Sequence, residues 1–383
     1  MYVMNVTDCD PNLVLNWTDV DTAGNALYFT SEKIIIGIAM PCVLGIGVIA
    51  NLAFLFVVFQ VSYMRTTTNF YLANLAVADI CFISLAVLEK MFAFSASPVS
   101  GDSAYSSSAG CICYAMTVYT TYFASIGLVT LVSLERYFAL CAPVKHRRFS
   151  VKSRTVKLVI ITWVISMVIA ACVTLGLSKL ISHCVLWPDD DQFEELDLPD
   201  TIEFCEPIND KMMYNEYIQI VAFPLALIGN TVMYWRIIRS LSSRVSSTTP
   251  SSSDHNRQAR NQVAWMLIIN GLVFFICHLP FNVLNILELV SLFTGSTFFE
   301  PNEIRIFVWV GRLTTFINSA ANPFIYTTMS ARYRQAYCEA FKCKCRGCNS
   351  RVSSCCIKQQ NAEIFTTMNG MKGNYQDKTE SSL

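Results

Sequence analysis

Residues 34–60 read IIIGIAMPCVLGIGVIANLAFLFVVFQ, an apolar stretch without a single Asp, Glu, Lys or Arg. A helix needs about 20 such residues to cross the ~30 Å hydrocarbon core of a bilayer. The chain contains seven blocks of this kind, near 33–60, 68–95, 109–140, 156–180, 213–240, 261–291 and 303–328. A transmembrane β-barrel would instead show strands of about ten residues with alternating hydrophobicity. The sequence therefore predicts an all-α membrane protein, a seven-transmembrane helix bundle.

The overall composition agrees with this fold class and suggests where the chain divides. Of the 383 residues, 53% are apolar and only 15% are charged, too few to cover the surface of a soluble protein of this length. We expect four segments: an extracellular glycosylated N-terminus (1–32), the seven-transmembrane domain (33–328), a short amphipathic eighth helix (329–342) and a disordered cytoplasmic tail (343–383). Two glycosylation sequons, at Asn5 and Asn16, lie in the first segment.

Lys and Arg residues indicate the orientation, because the cytoplasmic loops of membrane proteins carry an excess of them. With the N-terminus outside, only six of the 28 Lys and Arg residues face outward: Lys33, Lys90, Lys179, Lys211, Arg305 and Arg312. We therefore expect a multi-pass protein of the plasma membrane with its N-terminus extracellular. An acidic stretch between spans four and five, from Asp189 to Glu206, is either a solvated loop or a field that attracts a cationic ligand.

Cysteines on the two sides of the membrane predict different chemistry, because disulfides persist only on the outer side. Cys111 heads the third span, and Cys205 lies shortly before the fifth, as the return strand of a hairpin would. We favour a bridge between them, with Cys184 as the competing partner. Inside, Cys343 and Cys345 follow the amphipathic stretch, which favours palmitoylation over zinc binding. The C-terminal Ser381-Ser382-Leu383 suggests a PDZ-domain protein as a further partner.

One acidic residue lies within the membrane, where a charge is costly and usually functional. Asp79 has four expected neighbours with hard oxygen atoms suited to a small cation: Ser125, Asn318, Ser319 and Asn322. The sequence predicts an allosteric sodium site here, and a purely structural polar network is the alternative. We expect no other cofactor.

Several short motifs stand in a fixed order along the spans: Asn51, Asp79, Cys111, Glu135-Arg136-Tyr137, Trp163, Pro224, Cys277-His278-Leu279-Pro280 and Asn322-Pro323-Phe324-Ile325-Tyr326. Each motif is weak alone. In this order and at these spacings they resemble the rhodopsin-like (class A) G-protein-coupled receptors, over about residues 33–342.

The resemblance implies signalling by a ligand-driven population shift, without covalent chemistry. The sixth helix would swing about Pro280, and Arg136 would leave Glu135 so that a heterotrimeric G protein can bind. Arrestin and membrane lipid are further expected partners. The residues that match the family's activation switch are Glu135, Arg136, Tyr137, Ile126, Pro224, Phe274, His278, Pro280, Asn322, Pro323 and Tyr326.

Two departures from the family pattern concern this switch. His278 stands where the family has a Trp at the pocket floor, and we favour a neutral hydrogen-bonding ring there over a pH-sensitive one. The Tyr expected eight residues after Pro224 is Val232, while Tyr234 lies two residues further on. The usual contact between that Tyr and Tyr326 is therefore in doubt.

Two residues that bind the ligand in other branches of the family are absent here, which narrows the ligand class. Val118 stands where amine receptors have a cation-binding Asp, and Phe316 where opsins have the retinal-linking Lys. Met64–Asn69, Gly110–Cys113 and Arg260–Val263 resemble the thyrotropin-releasing-hormone receptor branch of neuropeptide receptors. The ligand-binding residues that we expect are Tyr119, Phe281, Asn285, Glu288 and Arg312. An alternative role for Arg312 is a salt bridge to Glu288 or Glu89 across the pocket.

The sequence thus predicts a receptor for an extracellular peptide that is neither an enzyme nor a nucleic-acid-binding protein. A receptor for a small carboxylate or lipid is one alternative, since Arg312 could hold a carboxylate. A membrane transporter or channel, in which Asp79 lines an ion path, is the alternative from a different class.

Overall fold

A computed structural model of the chain describes residues 9–103, 105–144, 146, 151–194, 196–207, 215, 217–245, 254–296, 298 and 301–342. The predictions on Asn5, Cys343, Cys345 and the C-terminal tail lie outside these residues. Eight helices follow one another along the described chain: α1 (Thr30–Gln60), α2 (Thr67–Ala96), α3 (Ser108–Cys141), α4 (Lys152–Thr174), α5 (Gln219–Val245), α6 (Asp254–Thr294), α7 (Pro301–Met329) and α8 (Ala331–Ala340). Two short helices, Val20–Ala26 and Asp191–Glu194, lie outside this set.

The long helices have the length and surface of membrane spans. Helices α1 to α6 are long and apolar enough to cross a membrane by length and composition. Helix α7 is of similar length, 29 residues, but carries more polar side chains. Large apolar side chains on the helices are 60% or more exposed: Ile38, Ile49, Phe59, Val168, Leu225 and Ile276. Such a surface suits hydrocarbon and would be unfavourable in water.

Helix α3 is the centre of the bundle and packs against α2, α4, α5 and α6. Helices α1 and α7 close the ring, because α1 packs against both α2 and α7. Gly47 permits this closure. A Cβ atom at Gly47 would lie 2.9 Å from Ile83 Cδ1 and 3.1 Å from Ala320 Cβ, so a larger residue would push α1 away from α2 and α7. The prediction of a seven-helix bundle is confirmed.

A small sheet covers the end of the bundle that carries the N-terminal segment, which we call the outer end. Strand β1 (Val14–Asn16) pairs in parallel with β2 (Lys179–Leu186), and β2 pairs antiparallel with β3 (Thr201–Glu206). Val185 in β2 and Ile202 in β3 are buried together with Val99, and these three side chains pack against Trp17, Trp187 and neighbouring apolar side chains. The N-terminal segment is therefore part of the fold from Cys9 onward.

Two disulfides fasten this sheet. Cys111 at the start of α3 is bonded to Cys205 in β3, and Cys9 is bonded to Cys184 in β2. Cys205 is therefore the partner of Cys111, as we favoured. Cys184 forms a second bridge, which we did not predict. The hairpin is also hydrogen-bonded to α3, since Leu180 N donates to Ser108 Oγ at 2.9 Å.

The predicted boundaries of two spans need correction. The fourth span ends at Thr174 instead of residue 180, because residues 179–184 pair with β3 as part of strand β2. Apolar composition does not distinguish a strand from the end of a helix, which explains this error. The first span begins at Thr30, three residues before the predicted residue 33. The described part of the fifth helix begins at Gln219, and residue 213, where we expected this span to start, lies outside the described residues.

Candidate functional site

The outer ends of α6 and α7 and the residues before α5 surround a cavity of about 460 Å³. Its walls are mainly apolar and include Tyr217, Leu284, Leu287, Phe298 and Ile304. Glu288 is the only charged residue among the described residues that line it. A mainly apolar cavity with one acidic group can hold a ligand of mixed apolar and polar character.

Arg312 lies on α7, within electrostatic range of Glu288 in the cavity wall. Its guanidinium carbon is 5.1 Å from the centre of the Trp309 ring, within the range of a cation–π contact. It interacts electrostatically with Glu288, but no carboxylate oxygen of the described residues lies within 4.0 Å of it. Glu89 contacts Lys90 instead, at 2.9 Å. The salt bridge considered for Arg312 is absent, so its donors can serve a ligand.

The other predicted ligand residues lie on α3 and α6. Tyr119 is half-buried and stacks on Phe123 with the ring centres 6.4 Å apart. Asn285 is buried, and its Nδ2 has no hydrogen-bond partner among the described residues. Phe281 lies where α6 meets α7, since a Cβ atom at Gly311 would be 3.2 Å from the Phe281 nitrogen. Asn285 thus has an amide available to a ligand.

Aromatic rings surround His278 at the pocket floor. The imidazole is 2% exposed, 4.3 Å from the Phe274 ring centre and stacked at 5.5 Å on Tyr122. Asn282 Nδ2 donates to Tyr122 Oη at 3.3 Å. An aromatic and uncharged environment favours a neutral imidazole. The hydrogen-bonding role that we predicted for the ring is not seen at Nδ1, which has no partner among the described residues.

Asp79 lies in a buried polar group in the middle of the bundle. Asn322 Nδ2 donates to Asp79 Oδ2 at 2.6 Å, and the Ser319 hydroxyl is a second partner. Ser125 and Asn318 are also buried, and Asn318 Oδ1 accepts no hydrogen bond from the described residues. A buried carboxylate and a buried amide oxygen are ligands of the kind that a small cation binds, and the hydrogen bond from Asn322 to Asp79 joins α7 to α2.

The predicted activation residues occupy the same central region. Ile126 and Phe274 are buried in α3 and α6, and Pro224 interrupts α5. Pro280 and Pro323 lie inside α6 and α7. Proline inside a helix removes one backbone hydrogen bond, so these helices have positions at which they can bend.

At the inner end of α3, Glu135 is paired in several directions. Arg136 Nε lies 2.8 Å from Glu135 Oε2, and Thr68 donates to the same oxygen at 3.1 Å. Arg136 also donates to the Thr68 hydroxyl. His146 Nε2 lies 3.2 Å from Glu135 Oε1. These contacts keep Arg136 against α2 and α3, the arrangement that the resemblance implies for a resting receptor.

Tyr137, the third residue of that motif, contacts α5 instead. Its hydroxyl accepts a hydrogen bond from Arg236 at 3.1 Å.

The displaced tyrosine of α5 is buried in the inner half of the bundle. Ser133 Oγ donates to Tyr234 Oη at 2.8 Å, which joins α3 to α5. A Cβ atom at Gly271 of α6 would lie 1.7 Å from that hydroxyl oxygen, so Gly271 provides the space that Tyr234 occupies. Val232 is 47% exposed on the outside of the bundle. Tyr326 packs against Phe54 with ring centres 5.2 Å apart.

A buried ion pair between α1 and α7 has no counterpart among the residues predicted from the sequence. Glu32 is 1% exposed and receives two hydrogen bonds from Arg305, at 3.1 and 2.6 Å, and one from Trp309 Nε1 at 2.7 Å. Arg305, Trp309 and Arg312 stand at i, i+4 and i+7, on one face of α7. This helical spacing is the sequence pattern from which the cluster on α7 could have been predicted. For His146 and Cys9 we find no comparable sequence signal.

The family follows from comparison with known proteins. The family described as 7 transmembrane receptor (rhodopsin family) matches residues 50–326, and the chain belongs to it. The family expected from the sequence motifs is confirmed.

Several receptors are similar to this chain. The thyrotropin-releasing hormone receptor of Homo sapiens is 29% identical over 78% of this chain and 76% of its own length. Neuromedin-U receptor 2 of Mus musculus is 28% identical over 82% and 77%. A neuromedin U receptor homologue of Caenorhabditis elegans is 27% identical over 79% of both chains.

Proposed function

We propose that the protein is a G-protein-coupled receptor for an extracellular neuropeptide. The similarity to receptors named for thyrotropin-releasing hormone and neuromedin U carries this proposal. The Arg312 guanidinium, which has no carboxylate of the described residues within 4.0 Å, supports it, because a peptide offers terminal and backbone carbonyl groups as acceptors. Membership of a receptor family favours this function over a transporter or channel.

The peptide would enter from the extracellular side, between the hairpin and the outer ends of α6 and α7. Arg312 and Asn285 would bind its acceptors, while Tyr119 and Phe281 would contact its apolar groups. Glu288 would bind a cationic group, aided by the acidic stretch from Asp189 to Glu206. The guanidinium of Arg312 also suits a small carboxylate, which is the second candidate ligand class.

Signalling would follow from differential binding to two arrangements of the bundle. A peptide that prefers the active arrangement would shift the population toward it, and α6 would move about Pro280. Arg136 would then leave Glu135, and the inner end would admit a G protein. Asp79, Ser125, Asn318, Ser319 and Asn322 would hold a sodium ion that favours the resting arrangement.

Further elements of the proposal concern location and modification. The receptor would lie in the plasma membrane with its N-terminus outside and sugars on Asn5 and Asn16. The Asn16 side chain is exposed at the end of β1, which suits modification. Palmitoyl groups on Cys343 and Cys345 would anchor the tail, and arrestin, membrane lipid and a PDZ-domain protein would be inner partners.

A peptide-library screen on cells that express the receptor tests this function, with calcium and cAMP as readouts. We expect at least one peptide pool to raise a response that untransfected cells lack. Arg312→Ala and Tyr119→Phe should weaken it while the receptor level at the surface is unchanged. Activation by small carboxylates alone would contradict the peptide proposal, and an ion current without G-protein activation would contradict the receptor class.

A further inference from the structure

Glu32 at the start of α1 is saturated with hydrogen bonds although it is almost completely buried. Oε1 accepts from Arg305 Nε at 3.1 Å and from Trp309 Nε1 at 2.7 Å. Oε2 accepts from Arg305 at 2.6 Å and from Phe29 N at 2.9 Å. A buried carboxylate is stable only when it is paired in this way, so both partners from α7 are fixed in place.

The same arginine holds the N-terminal segment. Its remaining donors bond to backbone oxygens at the end of that segment, to Leu27 at 2.9 Å and to Asn25. The guanidinium carbon also lies 4.0 Å from the centre of the Phe29 ring. Release of the segment would therefore leave part of Arg305 without partners.

Trp309 connects this ion pair with the candidate ligand site. Its indole N–H donates to Glu32 Oε1, and the guanidinium carbon of Arg312 lies 5.1 Å from the centre of its ring. The indole is 5% exposed and packs in a core cluster with Tyr28, Ile36, Val87 and Phe316. Packing and the hydrogen bond together leave the ring one orientation, and the ring face defines where the Arg312 guanidinium lies.

We propose that Trp309 is a positioning residue for Arg312, oriented by Glu32 and through it by the Arg305-bound N-terminal segment. The N-terminal segment thus contributes to recognition of a ligand acceptor without touching the ligand. The inference rests on the proposed function, since it assumes that Arg312 binds the ligand.

The test uses synthetic peptide pools of identical sequences, made once with a C-terminal carboxamide and once with a free carboxylate. Cells that express wild-type, Trp309→Leu, Arg312→Ala or doubly substituted receptor are compared at equal surface level, measured with an epitope tag. We expect Trp309→Leu to weaken the potency of the active pool about tenfold, the order of a cation–π contact. The double variant should be no weaker than Arg312→Ala alone, because both changes remove one interaction.

Three further variants separate positioning from folding. Trp309→Phe keeps a ring face but loses the donor to Glu32, and we expect an intermediate loss of potency. Glu32→Gln keeps an acceptor for the indole but no charge opposite Arg305, and its loss should also vanish in the Arg312→Ala background. Trp265→Leu is the matched control, because Trp265 is 42% exposed on α6. If Trp309→Leu fails to reach the surface, Trp309→Phe is combined with Arg312→Ala instead.

The outcomes distinguish the inference from the function beneath it. Losses of potency that multiply in the double variants would overturn the positioning role and leave the peptide receptor intact. A wild-type potency for Trp309→Leu would overturn it as well. Silence of the wild-type receptor toward every pool would overturn the proposed function together with this inference.

Discussion

The outer and inner halves of the bundle are held by different kinds of contact. At the outer end, two disulfides and the Glu32–Arg305 pair fasten the hairpin and the N-terminal segment. At the inner end, α3 is held to α2 and α5 by contacts such as Thr68–Glu135 and Ser133–Tyr234. Each half contains an ion pair with a buried carboxylate, Glu32–Arg305 outside and Glu135–Arg136 inside, but the outer half is fastened in addition by the two disulfides. Disulfides keep their partners unless they are reduced, whereas single hydrogen bonds contribute about 1 kcal/mol each. The outer half is thus held more permanently than the inner half.

The largest expected effect comes from loosening the outer half. Cys111→Ser removes the bond between α3 and β3, and we expect it to lower stability by about 2–4 kcal/mol. Size-exclusion chromatography of purified receptor after heating measures this as a lower temperature of aggregation. Cys113→Ser is the control, because Cys113 is exposed and unbridged.

Cys9→Ser removes the second disulfide, and its effect on stability can be compared with that of Cys111→Ser. Its loop is longer, with a sequence separation of 175 against 94, and loop entropy alone would make its loss larger by about 0.5 kcal/mol. We expect the smaller effect instead, because its loss frees only the N-terminal segment. Equal or larger destabilisation by Cys9→Ser would show that this segment stabilises the whole outer half.

The second prediction tests whether the contacts of the inner half rearrange readily. Gly271→Ala places a methyl group where the Tyr234 hydroxyl lies, so Tyr234 must leave Ser133 or α6 must move. Overpacking of this kind costs about 1–3 kcal/mol. We expect this cost to fall on the resting arrangement and to raise ligand-free signalling, measured with a panel of G-protein dissociation sensors.

The control for this variant is Gly229→Ala on α5, where a Cβ atom would meet nothing within 4 Å. It should leave ligand-free signalling unchanged. Wild-type signalling by Gly271→Ala, with an unchanged unfolding temperature, would mean that Tyr234 does not restrain the inner half.

The difference between the halves also explains what could be predicted from sequence. Apolar length and charge placement predicted the bundle, because hydrocarbon imposes the same demand on every span. The inner motif at Glu135 and Arg136 was visible because the two residues are adjacent in the chain. The pair of Glu32 with Arg305 was not, since it joins residues 273 positions apart. Strand β1 was missed because three residues are too few to show a periodicity.

Within the candidate sites, local chemistry was predictable and mutual geometry was not. Asn322 was one of four neighbours expected for Asp79, and it donates to that carboxylate. Arg312 contacts the Trp309 ring, which we did not predict. The doubt about Val232 was justified, since its side chain is exposed while Tyr234 is buried. Which face of a helix turns inward after a shift of two residues depends on neighbours such as Gly271, and no local pattern contains that information.

The third effect compares two histidine–glutamate contacts, one in each half. His146 lies 3.2 Å from Glu135 inside, and His183 lies 2.8 Å from Glu206 in the outer hairpin. His146→Ala removes one hydrogen bond from the carboxylate that holds Arg136, worth about 1 kcal/mol. We expect ligand-free signalling to rise up to about fivefold. His183→Ala should leave ligand-free signalling unchanged. An equal rise of ligand-free signalling in both variants would contradict the view that only the inner half controls it.

The smallest effect concerns the cap of the short helix Val20–Ala26. Asp19 Oδ2 accepts from the Thr22 hydroxyl at 2.8 Å and from Thr22 N at 2.9 Å, and these bonds lower the pKa of the carboxyl group. A lowered pKa in the folded state means that the contribution to stability is complete above the unfolded pKa. It is lost as the pH falls through the folded value, so the helix should loosen below about pH 4.

Hydrogen exchange of residues 20–26, corrected for the intrinsic rate at each pH, measures this loosening. Asp19→Ala should raise exchange already at pH 7, because the N–H of Thr22 loses its partner. Asp19→Asn keeps an acceptor and should change little at pH 7 but remove the acid dependence. Asp21→Asn, in the first turn of the same helix, is the control for charge near the helix start. If the disulfide and the Arg305 contacts dominate the outer half, the rest of the segment keeps its protection even where this helix loosens.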